Sequence, residues 1–125
     1  MAVKWLDATP GSRHQAAIEY LSMVEEPGVV KKTVAALKHA KPVYRLAKDI
    51  LRAVRLDMLP ATNAHVAGDL KKISDGSELS PILLVRGSRK GATAPQIADG
   101  YHRVSAAYFT DENTPIPCHL VSWQS

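Results

Sequence analysis

The sequence predicts a small α+β domain, a mixed sheet with packed helices preceded by an N-terminal helical hairpin. Three observations carry that expectation. The first half of the chain repeats apolar residues at helical spacing between turn-forming residues. The second half holds two short apolar runs, residues 81 to 85 and 116 to 121, bounded by turn residues. Between them a third short run stops at Asp99-Gly100 and a helical pattern begins at once, which gives the order strand, tight turn, helix. With 125 residues, 46% of them hydrophobic, the chain can bury a core without disulfide staples. One compact unit is expected, residues 1 to 42 being a helical extension and residues 43 to 125 the α/β domain.

Each element follows from local signals. Ser12 suits an N-cap for a helix over residues 12 to 24, with Ala17, Tyr20, Leu21 and Val24 on one face and Glu25-Glu26-Pro27-Gly28 closing it. Val30, Val34 and Leu37 mark a second helix over residues 29 to 39, ended before Pro42, because a proline biases the preceding residue away from helix. Residues 43 to 54 show the clearest periodicity. Val43, Leu46, Ala47, Ile50 and Val54 fall on one side, and Arg45, Lys48, Arg52 and Arg55 form a basic stripe interrupted by Asp49. An extended connector covers residues 56 to 60. Thr62 or Asn63 caps a short helix over residues 64 to 73, and Asp75-Gly76-Ser77 is a turn. The run 81 to 85 reads as a buried strand, 88 to 95 as a polar loop and the best candidate for mobility, and 96 to 98 as a second strand. The helix after Gly100 continues through Val104, Ala107 and Tyr108, breaks at residues 110 to 115, and gives way to a last strand over 116 to 121.

Composition narrows the function classes. No apolar run approaches the roughly 20 residues needed to cross a bilayer, and residues 1 to 7 lack an apolar signal core. A cytoplasmic protein without a membrane partner is expected. Cys118 stands alone, so no intrachain disulfide and no multi-cysteine metal site can form; it reads as a small core residue. A formal charge of +4 favours anionic partners, and 12 of the 16 Lys and Arg residues lie between Lys4 and Lys72.

The Asp-Gly-Tyr-His-Arg turn is the main candidate site. Gly100 permits a steep backbone turn, and the following helix begins with free N–H groups and a positive dipole end, with His102 and Arg103 in its first turn. Such a place suits an oxyanion, phosphate above all. Arg103 either grips phosphate through two parallel hydrogen bonds or pairs with Asp99 as a structural link. His102 donates to phosphate or serves as a general acid or base. Asp99 caps the helix, orients His102 or holds Mg²⁺. Tyr101 stacks on a base or fills a core edge. Arg86, at the end of the strand run 82 to 85, is expected near the same strand ends. Asp49 and Asp69 are further carboxylates without an assigned place. A rival reading puts nucleic acid on the basic stripe of Arg45, Lys48, Arg52 and Arg55.

From Ala47 to Val121, about three fifths of the chain, the order of elements resembles the ParB/sulfiredoxin-like superfamily. The residues that carry it are Leu-Ser-Pro-Ile-Leu-Leu-Val, Asp-Gly-Tyr-His-Arg and Ile-Pro-Cys-His-Leu-Val. The resemblance implies a small α/β fold and a nucleoside triphosphate, ATP or CTP with Mg²⁺, its phosphates held by a Gly-x-His-Arg turn at Gly100, Tyr101, His102 and Arg103. It also leaves room for triphosphate hydrolysis or phosphotransfer, with His102 and Asp99 as the catalytic candidates. Two departures limit it. Tyr101 stands where sulfiredoxins look to have their reactive cysteine, so that chemistry is not expected. The DNA-binding helical domain of partition proteins has no counterpart before Ser125, so a partition role is not expected either. The arginine motif that precedes the first strand in those proteins has only a loose echo in Thr62-Asn63-Ala64-His65, which either lines the same pocket or caps a helix.

Overall fold

A computed structural model describes residues 2–87 and 93–125. Most of the loop read at residues 88 to 95, and with it the expectation of mobility, lies outside the described residues. The central sheet has the order β2-β6-β4-β5, formed by Val43–Leu46 (β2), Pro115–Val121 (β6), Ile82–Val85 (β4) and Gln96–Asp99 (β5). β2 and β6 are antiparallel, β6 and β4 parallel, and β4 and β5 antiparallel, so the sheet is mixed as expected. A separate two-stranded parallel pair joins Lys4–Trp5 (β1) to Glu78–Leu79 (β3).

Helices cover both faces of the sheet, and the strand period of two decides which residue goes where. In β4, Ile82 and Leu84 pack with α3 (Ala47–Val54) and α5 (Tyr101–Thr110), in a cluster that also takes in Ile97, Ile116 and Cys118. Leu83 and Val85 face the other way, with Ala98, onto Ala17 and Leu21 of α1 (Gly11–Leu21) and Val30, Val34 and Leu37 of α2 (Pro27–His39). Burial on both faces is the physical reason the run is apolar without alternation. A third cluster seats α4 (Ala64–Ser74) on α5 through Val66, Ile73 and Ala106, with Leu79 beneath. The N-terminal hairpin of α1 and α2 is thus one of the layers that close the core.

The structure corrects four local expectations. Residues 43 to 54 are not one helix: residues 43 to 46 form an edge strand whose partners are Cys118, Pro117, Ile116 and Pro115, and helix begins only at Ala47. Ser12 does not cap α1; Pro10 occupies the N-cap position without a side-chain bond, and the helix ends at Leu21 instead of reaching residue 24. Asp99 does not cap α5, whose N-cap is Gly100 with no side-chain cap bond. β1 and β3, each of two residues, carry too few residues for a periodic signal. The cap of α4 is Asn63, whose side chain accepts from the N–H groups of His65 and Val66. Among the described residues, no helix is long and apolar enough to cross a membrane.

Candidate functional site

β5 ends at Asp99, and the chain turns into α5 through Gly100 at φ 117°, ψ 17°. Only glycine visits this region without strain, and there is no room for more: a Cβ at residue 100 would lie 2.4 Å from Ile82 Cδ1 and 3.0 Å from Arg103 Nη2. The first N–H groups of α5 have no partner within the helix, and the helix start borders a cleft of about 180 Å³. Arg13 of α1, His65, Asp69 and Lys72 of α4, and Asp99, Gly100, His102 and Arg103 line it.

Arg103 reaches this cleft from behind. It is only 5% exposed; Nη2 donates to Asp99 Oδ2 at 2.7 Å and to the carbonyl of Pro81 at 3.2 Å. Its Nε is buried and has no partner among the described residues. Burial draws the guanidinium below its ordinary pKa while the Asp99 carboxylate opposes that, and an arginine so paired stays charged. Of the two roles open to Arg103 in the sequence, the structural link to Asp99 is therefore realised, and the pair binds the end of β5 to the first turn of α5.

The groups left to meet a ligand are Arg13, Lys72, His65 and His102. The two imidazoles lie against each other with ring centroids 4.7 Å apart and planes tilted by 43°. Burial, and next the neighbouring His65, hold His102 below the usual imidazole pKa, with Arg103 adding to the effect and Asp69 and Asp99 opposing it. Arg13, Lys72 and Arg103 against Asp69 and Asp99 leave the cleft one positive charge with both histidines neutral, and three with both protonated. A net positive cleft attracts anions, and more strongly the more protons it holds.

A second cleft of about 260 Å³ shares Asp99, Gly100 and His102 with the first and continues past the turn along Ala98 and Ile97, walled by Ala16, Tyr20, Leu56 and Tyr101. Tyr20 donates its hydroxyl to Gln96 Oε1 at 2.6 Å, and Tyr101 donates to the carbonyl of Asp57, so both rings are fixed.

The remaining sequence candidates are elsewhere. Arg86 is exposed beyond the far end of β4. Because Leu83 pairs with Asp99 and Val85 with Gln96, it stands at the opposite end of the strand pair from Gly100, not beside it. The basic stripe is broken up: Arg45 lies on β2, Lys48 and Arg52 on α3, and Arg55 is the C-cap in left-handed geometry. Arg52 is paired with Asp49 at 2.8 Å. Cys118 is fully buried, and burial pushes its thiol up to about 12. Among the described residues no three or more His, Cys, Asp or Glu side chains come together as a metal site.

Arg13, Lys72, Ala16 and Tyr20 were not singled out as site residues by sequence reasoning. Their signal is spacing. Arg13, Ala16 and Tyr20 recur at i, i+3 and i+7 along α1, and His65, Asp69 and Lys72 at i, i+4 and i+7 along α4, so each trio shares one helix face. Asn63 and His65 together take both roles offered by their segment, one capping α4 and the other lining the cleft.

The chain matches no protein-family model, and comparison with curated proteins and with solved structures finds no similar one.

Proposed function

We propose that this protein is a ParB/sulfiredoxin-like domain that binds a ligand carrying a phosphate group at the cleft before α5. The observation that carries this reading is that Arg13, His65, Lys72 and His102, from three helices, line one small cleft together with Gly100, the N-cap of α5. Positive charge and a helix N-terminus occur together there, which is the combination that favours an oxyanion over a neutral ligand. The strand, Gly-x-His-Arg turn and helix in sequence support the family reading.

The residues present fit an anion better than a protein-held Mg²⁺. Asp99 has an oxygen committed to Arg103, and Asp69 stands among cationic and imidazole groups, whereas Mg²⁺ sites use one or more free carboxylates with several waters. Binding therefore relies on this chain's own positive groups. His102, facing the cleft with its proton weakly held, is the residue suited to move a proton to or from a bound phosphate ester.

Calorimetry with inorganic phosphate tests the site. Arg13→Ala combined with Lys72→Ala removes two charge-assisted hydrogen-bond donors and is expected to weaken binding at least 10-fold, since a hydrogen bond to a charged group is worth about 1.5–3 kcal/mol. Equal affinity in the wild type and the double variant would defeat the proposal.

A further inference from the structure

We propose a second binding site, for a small organic acid with a compact apolar body, between α3 and the face of the sheet that α3 covers. A cleft of about 200 Å³ lies there and shares no lining residue with either cleft at the turn before α5. Its apolar walls are Ile50, Ala53 and Val54 of α3, Leu84 of β4, Leu120 of β6, and Pro95. Its polar lining residues are Arg45 of β2 and Asp49 of α3.

Strand pairing explains this composition. β4 and β6 run parallel with Leu84 opposite Leu120, so the two leucines stand side by side on the face that packs with α3. On β2, Arg45 is opposite Ile116, and directly opposed residues of an antiparallel pair share a face, which turns Arg45 to that same side. α3 sits on this face by burying Ala47, Ile50, Leu51 and Val54, while the exposed Ala53 lines the cleft with only a methyl group. In size the cleft suits one ring and a short stem, since an apolar cavity of about 150 Å³ in a protein interior takes up benzene. Burial of the hydrocarbon against these walls supplies the attraction.

Charge sets the class of ligand. Asp49 is already paired with Arg52, its Oδ1 accepting from Nη2 at 2.8 Å. Arg45 Nη1 donates to the carbonyl of Tyr44, the residue before it, at 2.9 Å, and among the described residues no carboxylate lies within ion-pair distance of Arg45. Arg45 and Arg52 against Asp49 leave one positive charge at this end of the sheet, and the planar guanidinium of Arg45 keeps donors for a carboxylate. An amine in the same place meets an aspartate whose charge Arg52 offsets and an arginine that repels it.

NMR of the intact chain, with methyl and amide signals resolved, locates the probe. Phenylacetate is expected to shift the methyl signals of Ile50, Val54, Leu84 and Leu120 saturably, and acetate, which has the charge and no ring, to leave them in place. Phenylacetamide, the neutral isostere, is expected to bind about 2- to 5-fold more weakly, the amount that an exposed ion pair contributes, and 2-phenylethylamine more weakly still. Arg45→Gln is expected to bring phenylacetate down to the affinity of phenylacetamide. Ala53→Leu, which fills the cleft from an exposed position on α3, is expected to abolish the shifts with both. The two substitutions lie at exposed residues of different elements, so a folding artefact in one leaves the other as a test. Absence of saturable shifts, shifts confined to the cleft before α5, the same methyl shifts with acetate, or equal affinity for phenylacetate and either of its nitrogen analogues overturns the proposal. Unchanged phenylacetate binding in Ala53→Leu overturns it as well.

Discussion

Arg103 and Asp99 illustrate how one residue pair can be legible in type and not in role. An arginine in the first turn after a glycine reads equally as a phosphate ligand and as a partner for the carboxylate four residues back, because side chains at i and i+4 meet on one helix face. Burial decides between them. With side chains 6% and 13% exposed, the ion pair is cut off from most solvent, and each charge needs the other. Asp99→Ala alone is expected to cost about 3–5 kcal/mol by leaving a buried guanidinium unpaired. Adding Arg103→Met to Asp99→Ala removes that charge at similar volume and is expected to recover part of the loss. Chemical denaturation of the two single variants and the double variant measures the coupling. Additive losses would mean that the pair is not the link between β5 and α5. Nothing in the sequence tells that Ile82 Cδ1 crowds the turn or that the Pro81 carbonyl accepts from the same guanidinium, since Ile82 opens β4 and Pro81 precedes it, both distant along the chain from the turn they meet.

At the scale of the element, residues 43 to 54 show why a helical pattern can mislead. Val43, Leu46, Ala47, Ile50 and Val54 fit the helical period, yet the first four residues add an edge strand to β6. Two signals coincide there. Lys41-Pro42 brings the chain in extended, and a four-residue strand with exposed Val43, Tyr44 and Arg45 shows no alternation to mark it. Tertiary pairing with β6 overrides the local pattern, and Ala47 and Lys48 then start α3 with their N–H groups donating to the carbonyls of Thr114 and Glu112. Strands with both faces covered, β4 and β5, were readable because burial makes them apolar; the α1 and α4 faces at the cleft were not, because polar residues at helical spacing look like solvated surface. Substitution separates strand from helix within this segment. Arg45→Thr places a β-branched residue in an exposed strand and is expected to change stability by less than about 0.5 kcal/mol. Arg52→Gly lies inside α3 and is expected to cost about 1 kcal/mol. Thermal or urea unfolding of both variants checks this, and a comparable loss from Arg45→Thr would restore the continuous helix.

Over the whole molecule, the two helical layers meet the edge of β5 from opposite sides, and titratable groups on both layers tie stability and binding to one variable, pH. His14, on α1, is 9% exposed, and burial holds its pKa below the usual imidazole value; Lys38 of α2 and His119 of β6 act in the same direction, and Asp99 of β5 opposes them. His102, on α5, is lowered for the same leading reason, with His65 of α4 and Arg103 adding to the effect and Asp69 and Asp99 opposing it. For both, the folded state rejects a proton that the unfolded chain takes up at about pH 6.5. The stability they contribute is therefore complete above that pH and is lost as pH falls toward the lower folded values, at no more than about 1.4 kcal/mol per pH unit for each histidine. A bound dianion acts in the opposite direction at His102, because its charge favours the imidazolium beside it. Sulfate serves as the probe, since its charge does not change in this range. Its affinity is expected to rise as pH drops from about 7.5 to about 5.5, on either side of the ordinary imidazole pKa, with proton uptake in calorimetry, and its protection against urea is expected to grow over the same interval. His102→Gln is expected to weaken the pH dependence of sulfate binding and leave the acid destabilisation from His14, while His14→Gln is expected to reduce that destabilisation and leave the pH dependence of binding. Sulfate affinity that stays level between these pH values in the wild type would show that no imidazole at the cleft takes part.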